Sequence, residues 1–392
     1  MNNESVGHRW RNQKSWLVVL CILVVVGGVI TFRSLDPQLP PGVSQLDYDN
    51  AAAEFQAESD RDGDHFDVLM TLTETAVWDK DYATAIACYQ QIPTEHVRYG
   101  PSARYEEAQL FAQTDQVRLA EESFNEFLKL LERGIRLPDR QVAHSRHWLS
   151  LILGVQLRHE ERRRVLHDLM EDHQADINDV KQYYFQSLLI WQTAFGSERV
   201  RDFLEKDPDN RNLRVAAARY LIGTGRLKDA REQLAVLRKE APSDLRALSV
   251  LLESCYEMND WPTFANVFAT APEFHKDEPR LLTQLRGEWA LRQNSWLDAE
   301  KHFQYMLESD PVNAVCLMGL ATAFAGQGKS KEREGILQRS LLVAKLRVDL
   351  AAITHDNPRG ARLVASSARK LEMDDAASIL EFFAARMPDE RL

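Results

Sequence analysis

Cysteine is scarce in this chain, with four in 392 residues. Cys21 sits inside an apolar run, while Cys88, Cys255 and Cys316 are odd in number, widely spaced and set in apolar stretches. That pattern excludes a disulfide framework and reads as small buried side chains. Glycosylation signals are equally thin: the one Asn-x-Ser/Thr triplet is Asn3-Glu4-Ser5. No proline- or glycine-rich low-complexity block interrupts the chain. There is no Gly-x-Ser-x-Gly elbow or His-Glu-x-x-His, and no spacing suggests a Ser/His/Asp or Cys/His nucleophile. These absences lead to the expectation of a protein that is no enzyme and uses no cofactor or metal.

Long apolar runs are limited to one. Trp16–Phe32 carries no charge over 17 residues, and as a helix it would extend about 25 Å, near the short end of a bilayer span. Arg9, Arg11 and Lys14 precede it, whereas Arg33 is soon followed by Asp36, Asp47 and Asp49. The positive-inside rule leaves residues 1–15 as a cytosolic tail, 16–32 as an uncleaved signal anchor and the remainder extracytoplasmic. Thr31-Phe32-Arg33-Ser34 offers no Ala-x-Ala-like cleavage site. Pro37, Pro40 and Pro41 stiffen residues 33–48 into a linker. Residues 1–35 hold four basic residues and one acid, a net of +3 that leaves −14 for the rest of a chain whose total is −11. An acidic ectodomain repels phosphates, so no nucleic acid is expected as a partner, and the bilayer is met only through residues 16–32. Few sequons and no cystines suit a bacterial periplasmic protein at the inner membrane.

What the remainder does contain is a period. Ala230, Phe264, Ala299 and Arg333 stand 34, 35 and 34 positions apart. Around Ala299 the pattern reads Gly287, Ala290, Trp296, Ala299, Phe303, Met306, Pro311, and around Ala230 it reads Ala218, Tyr220, Leu227, Ala230, Leu234, Leu237, Pro242. Spacings of three and four put Ala299, Phe303 and Met306 on one helical face, and Pro311 ends that helix. Each unit is a helix-turn-helix that cannot bury its apolar face alone, so neighbours must stack.

These residues resemble the tetratricopeptide repeat family. The resemblance implies an all-α protein, a right-handed α-solenoid of stacked hairpins over residues 49–392, preceded by one transmembrane helix. About eight or nine hairpins are expected. Residues 139–207 hold two poorer units in which the family's small residues are largely missing, and Leu341–Asp356 overruns the period, which predicts an extra turn near the C-terminus. The resemblance further implies a concave groove along the first helices that takes a protein or peptide partner. Carried over by repeat position, the groove holds Tyr105 and Gln109, then Asn212, Val215 and Arg219. It continues through Ser249, Glu253 and Tyr256 to Gln284, Glu288 and Arg292.

Three lookalikes compete with this reading. Ala323–Ser330 satisfies a relaxed phosphate-loop pattern, but the preceding Ala314–Phe324 has helical period where a strand is needed, so Gly326 and Gly328 read as a repeat turn. Asp60, Asp62 and Gly63 fall in register with a calcium loop, yet Leu69 stands where the bidentate glutamate must be. Histidines gather at His144, His147, His159, His167 and His173, and the first two share a helical face that could offer two nitrogens to zinc. The expected function is therefore a membrane-anchored scaffold for protein–protein interaction. The alternatives are a periplasmic chaperone-like holdase or a metal-dependent enzyme using the His144–His173 region.

Overall fold

The computed structural model describes residues 66–386, apart from 97, 190–193, 352 and 354–356. The expected tail, anchor and linker, and all of the calcium-loop segment before residue 66, lie outside the described residues. Among the described residues the chain is helical, with eighteen α-helices and no strand. The first are α1 (Phe66–Trp78), α2 (Tyr82–Gln90), α3 (Gly100–Gln113), α4 (Val117–Glu132), α5 (Asp139–Val155) and α6 (His159–Glu171). Then come α7 (Ile177–Tyr184), a 3-10 turn (Gln186–Leu188), α8 (Ala194–Lys206), α9 (Arg211–Gly223), α10 (Leu227–Glu240), α11 (Leu245–Glu257) and α12 (Trp261–Phe268). The last are α13 (Arg280–Arg292), α14 (Trp296–Ser309), α15 (Ala314–Gly326), α16 (Ser330–Leu350), α17 (Pro358–Lys370) and α18 (Asp374–Arg386). Among the described residues no helix is long and apolar enough to cross a membrane.

In eight of the hairpins the turn is made by one residue in the left-handed region. Gly225 and Gly328 have φ of 77° and 73°, and the same place is held by Lys80, Asp115, Leu157, Asn259, Asn294 and Glu372 at 55–61°. A left-handed residue turns the chain sharply after the last helical carbonyls, which is why glycine suits it and other side chains strain there. After the turn, Asp81 and Asp260 cap the second helices of their pairs, and Asn210, Asp244 and Asn313 cap first helices.

Small residues then let helices close on one another. A Cβ added to Gly287 of α13 would come within 2.8 Å of the Phe303 ring, and one added to Gly319 of α15 within 2.4 Å. Phe303, from α14 between them, is fully buried with Ala299. Gly326 meets the Trp296 indole in the same way. The slot shared by Ala230, Phe264 and Ala299 is fully buried in all three. Arg333 departs from it: its side chain is exposed, and α16 buries Val343, Leu346 and Leu350 instead. The overrun after Leu341 is absorbed by helix length, since α16 runs 21 residues where its neighbours run 13 or 14.

The chain divides into two compact units, Met1–Ser145 and Arg146–Leu392. In the first, α1–α4 pack through Leu72, Ala85, Tyr89, Ala108, Ala120 and Phe124, and Arg104 pairs with Glu107 in the interior. In the second, the expected distortion takes a particular form. Helix α7 is only eight residues long and packs against α6 and the C-terminal α18. Ile177, Val180, Phe185 and Leu188 share one core with Val343, Leu346, Val364, Leu371 and Leu380. In the poorer unit around Gln141–Met170 one small residue makes a close approach, Gly154, which faces the guanidinium of Arg162 at 2.8 Å from an added Cβ. Buried Arg162 donates to Ser150 at 3.1 Å, and burial pulls its pKa down to about 10.

The three described cysteines are free and buried, and burial pushes the Cys88 thiol up to about 11. Phe303→Ala should lower the unfolding free energy by about 3–5 kcal/mol, and Gly319→Val by about 1–3 kcal/mol through overpacking against the ring. Denaturant melts would measure both, and Gly319→Val at wild-type stability would contradict the close approach. At the turns, Gly328→Ala should cost about 1 kcal/mol and Glu372→Gly should gain up to about that amount, read from the same melts.

Candidate functional site

The repeat period sets residues about 34 apart beside one another on successive first helices. Asn212 of α9 accepts from Arg246 of α11 at 2.7 Å, 34 residues on. Arg219 donates twice to Glu253, again 34 residues on, at 2.9 and 3.1 Å. Tyr256 of α11 donates to Glu288 of α13 at 3.4 Å. The expected groove residues of α9, α11 and α13 therefore form rungs that tie their own helices together. Arg292 lies with its guanidinium 4.0 Å from the centre of the Trp261 ring. In the first unit, Tyr105 is buried rather than presented, its hydroxyl 2.8 Å from His144 Nδ1, and Gln109 donates to Glu106 at 2.9 Å.

Part of the second unit forms a half-open cavity of about 470 Å³, a size common for small-molecule sites. Of the groove residues, Val215, Arg219, Ser249 and Gln284 line it. Val215 and Ser249 are buried there. The start of α6 supplies His159, Glu160 and Arg163, and the end of α7 supplies Tyr183 and Tyr184. Arg246, Arg280, Asp310 and Arg347 complete the charged lining. Hydrogen bonds hold opposite walls: Arg246 donates to the Gln156 carbonyl at 2.9 Å, the Arg280 backbone N–H to Glu160 at 3.1 Å, and Ser187 to Asp310 at 3.0 Å.

The electrostatics of this cavity oppose those of the whole chain. Five arginines face it against the carboxylates of Glu160 and Asp310. Burial lowers the His159 pKa well below the ordinary histidine value, and Arg219, Arg162, Arg246 and Arg280 push it further the same way. Burial raises the Asp310 pKa, partly offset by the Ser187 hydrogen bond and by Arg280 and Arg163. Of these arginines only Arg219 belongs to the expected groove set, although for two of the others the signal was there. Arg246 and Arg280 each follow Asn212 by a further 34 residues, so the counting that selected Asn212 selects them too.

The lookalike motifs resolve as follows. Ala314–Gly326 is helix, Gly328 is the left-handed turn residue, and Lys329 pairs with Glu300 at 2.8 Å. His144 and His147 do not converge as a zinc pair: the first meets Tyr105 and the second meets Asp179 at 2.9 Å. His147, Asp176 and Asp179 place donor atoms within 4.8 Å of one another. The two carboxylates there already make the capping box of α7, which accounts for their position. His167, Asp168 and Glu171 form an exposed group on α6.

Residues 199–255 match the family model of the tetratricopeptide repeat. They span most of α8, all of α9 and α10, and most of α11. Over these residues the chain carries the repeat that its periodicity resembles. No curated protein matches the sequence. Among solved structures, a tetratricopeptide repeat protein from Parabacteroides merdae is similar at 14% identity, with 71% of this chain and 92% of that one covered and a TM-score of 0.30. Yeast Tom70 is similar at 11% identity over 87% and 93% of the two chains, with a TM-score of 0.33. The human IFIT1 dimer with PPP-AAAA is similar at 12% identity over 85% and 93%, with a TM-score of 0.36. Scores this low carry no argument about what this chain binds.

Glu288 provides a test of the rungs. Burial raises its pKa above the ordinary glutamate value, against the Tyr256 hydrogen bond. The folded state therefore favours the protonated form. That contribution is present in full below the ordinary glutamate range and is lost as pH rises through the raised pKa. Glu288→Gln should accordingly be more stable than the wild type at pH 7, with the gap closing in acid. Thermal melts across pH check this, and an unchanged gap would remove burial as the cause.

Proposed function

We propose that this chain is a scaffold whose first-helix surface in the second unit docks a protein or peptide partner on the extracytoplasmic, periplasmic side of a membrane. Residues 16–32 anchor it, with residues 1–15 in the cytosol. The observation that carries the docking role is the tetratricopeptide repeat of residues 199–255. Its helices α9 and α11 carry Arg219 and Glu253 as a rigid rung next to a cavity that Gln284 of α13 also lines. Tyr256 and Arg292, braced by Trp261 at 5.6 Å and 4.0 Å, add broad side chains with polar tips, the kind that anchor protein interfaces. The location rests on the apolar run and its basic flank.

A photo-crosslinking residue at Arg292 or Gln284, in intact cells, should trap one specific protein. Absence of any specific adduct would reject the scaffold reading, and a broad set of unfolded chains would point to a holdase instead. Protease added outside the inner membrane should cleave residues after 48 while a tag on the N-terminus stays protected. The reverse pattern would reject the orientation.

A further inference from the structure

We propose that the cavity of the second unit is a binding site for a small organic anion, a phosphate or carboxylate group carried on an apolar body. The charge inventory is the first ground. Among the five arginines that face the cavity, Arg219 is neutralised by Glu253 at 2.9 Å. The others are not matched in this way. Arg246 spends its donors on neutral acceptors, the Asn212 side chain at 2.7 Å and the Gln156 carbonyl at 2.9 Å. Arg163 donates to the Ser309 carbonyl at 2.9 Å and lies 4.4 Å from the centre of the Tyr183 ring.

Arg280 is the clearest case. Its backbone N–H donates to Glu160, but among the described residues its guanidinium has no hydrogen bond or ion pair. Asp310 does not answer this charge by direct contact, since its carboxylate accepts from Ser187 at 3.0 Å and Asn313 at 3.4 Å. Placing several guanidiniums around a partly enclosed space with few direct ion pairs is costly unless an anion completes them. The chain does this although its net charge is −11.

The arrangement also has the shape that oxyanion recognition needs. Arg246 and Arg280 occupy equivalent places on neighbouring first helices, 34 residues apart. Gln284 stands one turn after Arg280 on the same face of α13 and also lines the cavity. Planar guanidinium forks bind phosphate or carboxylate oxygens two at a time, and an amide supplies a further donor. Apolar side chains also form part of the wall, among them Leu157, Val215, Val250, Leu281, Met306 and Val315. A bare inorganic ion would leave that wall in water. An anion with a hydrocarbon or ring portion would cover it.

The test uses the full chain, purified without any partner, at constant ionic strength. Phenyl phosphate and benzoate supply the two oxyanions on one apolar ring, and phenol supplies the ring alone. Saturable binding by calorimetry is expected for at least one anion, with phenol inert, and the tighter anion names the preferred group. Arg280→Gln should weaken that binding at least tenfold, while Arg201→Gln, exposed and outside the cavity, should leave it unchanged. Because the Arg280 guanidinium makes no hydrogen bond or ion pair among the described residues and acts on Asp310 only at a distance, the variant should retain the wild-type circular dichroism and a near-wild-type melting temperature. Should the folded variant bind as tightly as the wild type, or neither anion bind saturably, the proposal is overturned.

Discussion

The approach of helices at a few side-chain-free positions governs this molecule. Phe303 occupies the space left by Gly287 in its own hairpin and by Gly319 in the next. One ring thereby fixes the spacing of three consecutive helices. A Cβ at either glycine would have to displace a buried aromatic ring, and buried rings in a close-packed interior have little room to move. Where the clamp residues change, the local geometry changes with them. Phe264 stands in place of a small residue, its helix α12 is only eight residues long, and the chain between α12 and α13 is held instead by the buried pair of Arg286 and Glu278 at 2.9 Å.

Constant helix spacing is what converts a sequence period into polar contacts. With successive first helices in register, Asn212 reaches Arg246 and Arg219 reaches Glu253, each across 34 residues. The same regularity concentrates arginines in one place, because Arg246 and Arg280 repeat a single position. Net charge is blind to this. A chain can be acidic as a whole and still focus positive potential in a recess with low-dielectric walls. The acidic balance that argued against phosphate partners therefore describes the exterior of the second unit poorly where the cavity is concerned.

Much of the fold was legible in the sequence because the decisive contacts are local and periodic. The hairpins, the buried slot at Ala230, Phe264 and Ala299, the repeat-turn character of Gly328 and the buried cysteines all follow from spacing within one or two units. Turn residues were legible only where they are glycine. Lys80, Leu157 and Glu372 take the same left-handed conformation, but their side chains announce nothing of it. Arg333 kept the count and lost the position, since α16 buries a later face of a longer helix. The groove residues were located by register, whereas their partners were not, because whether Arg219 faces a ligand or Glu253 depends on the neighbouring helix.

The cavity needed information of a different kind. Its far wall comes from α6 and α7, and α7 is where the repeat pattern is weakest. A full repeat at residues 177–206 would spend its apolar face on its sequence neighbours. The short α7 and the residue after it instead offer Ile177, Val180 and Phe185 to the core that contains Leu346, Val364 and Leu380, residues more than 150 positions away. That long-range packing brings Tyr183, Tyr184 and Ser187 opposite α9, α11 and α13 and turns an open surface into a lined recess. The departure from the period is thus as structural as the period itself. The regular units align the arginines, and the irregular one supplies the wall that encloses them.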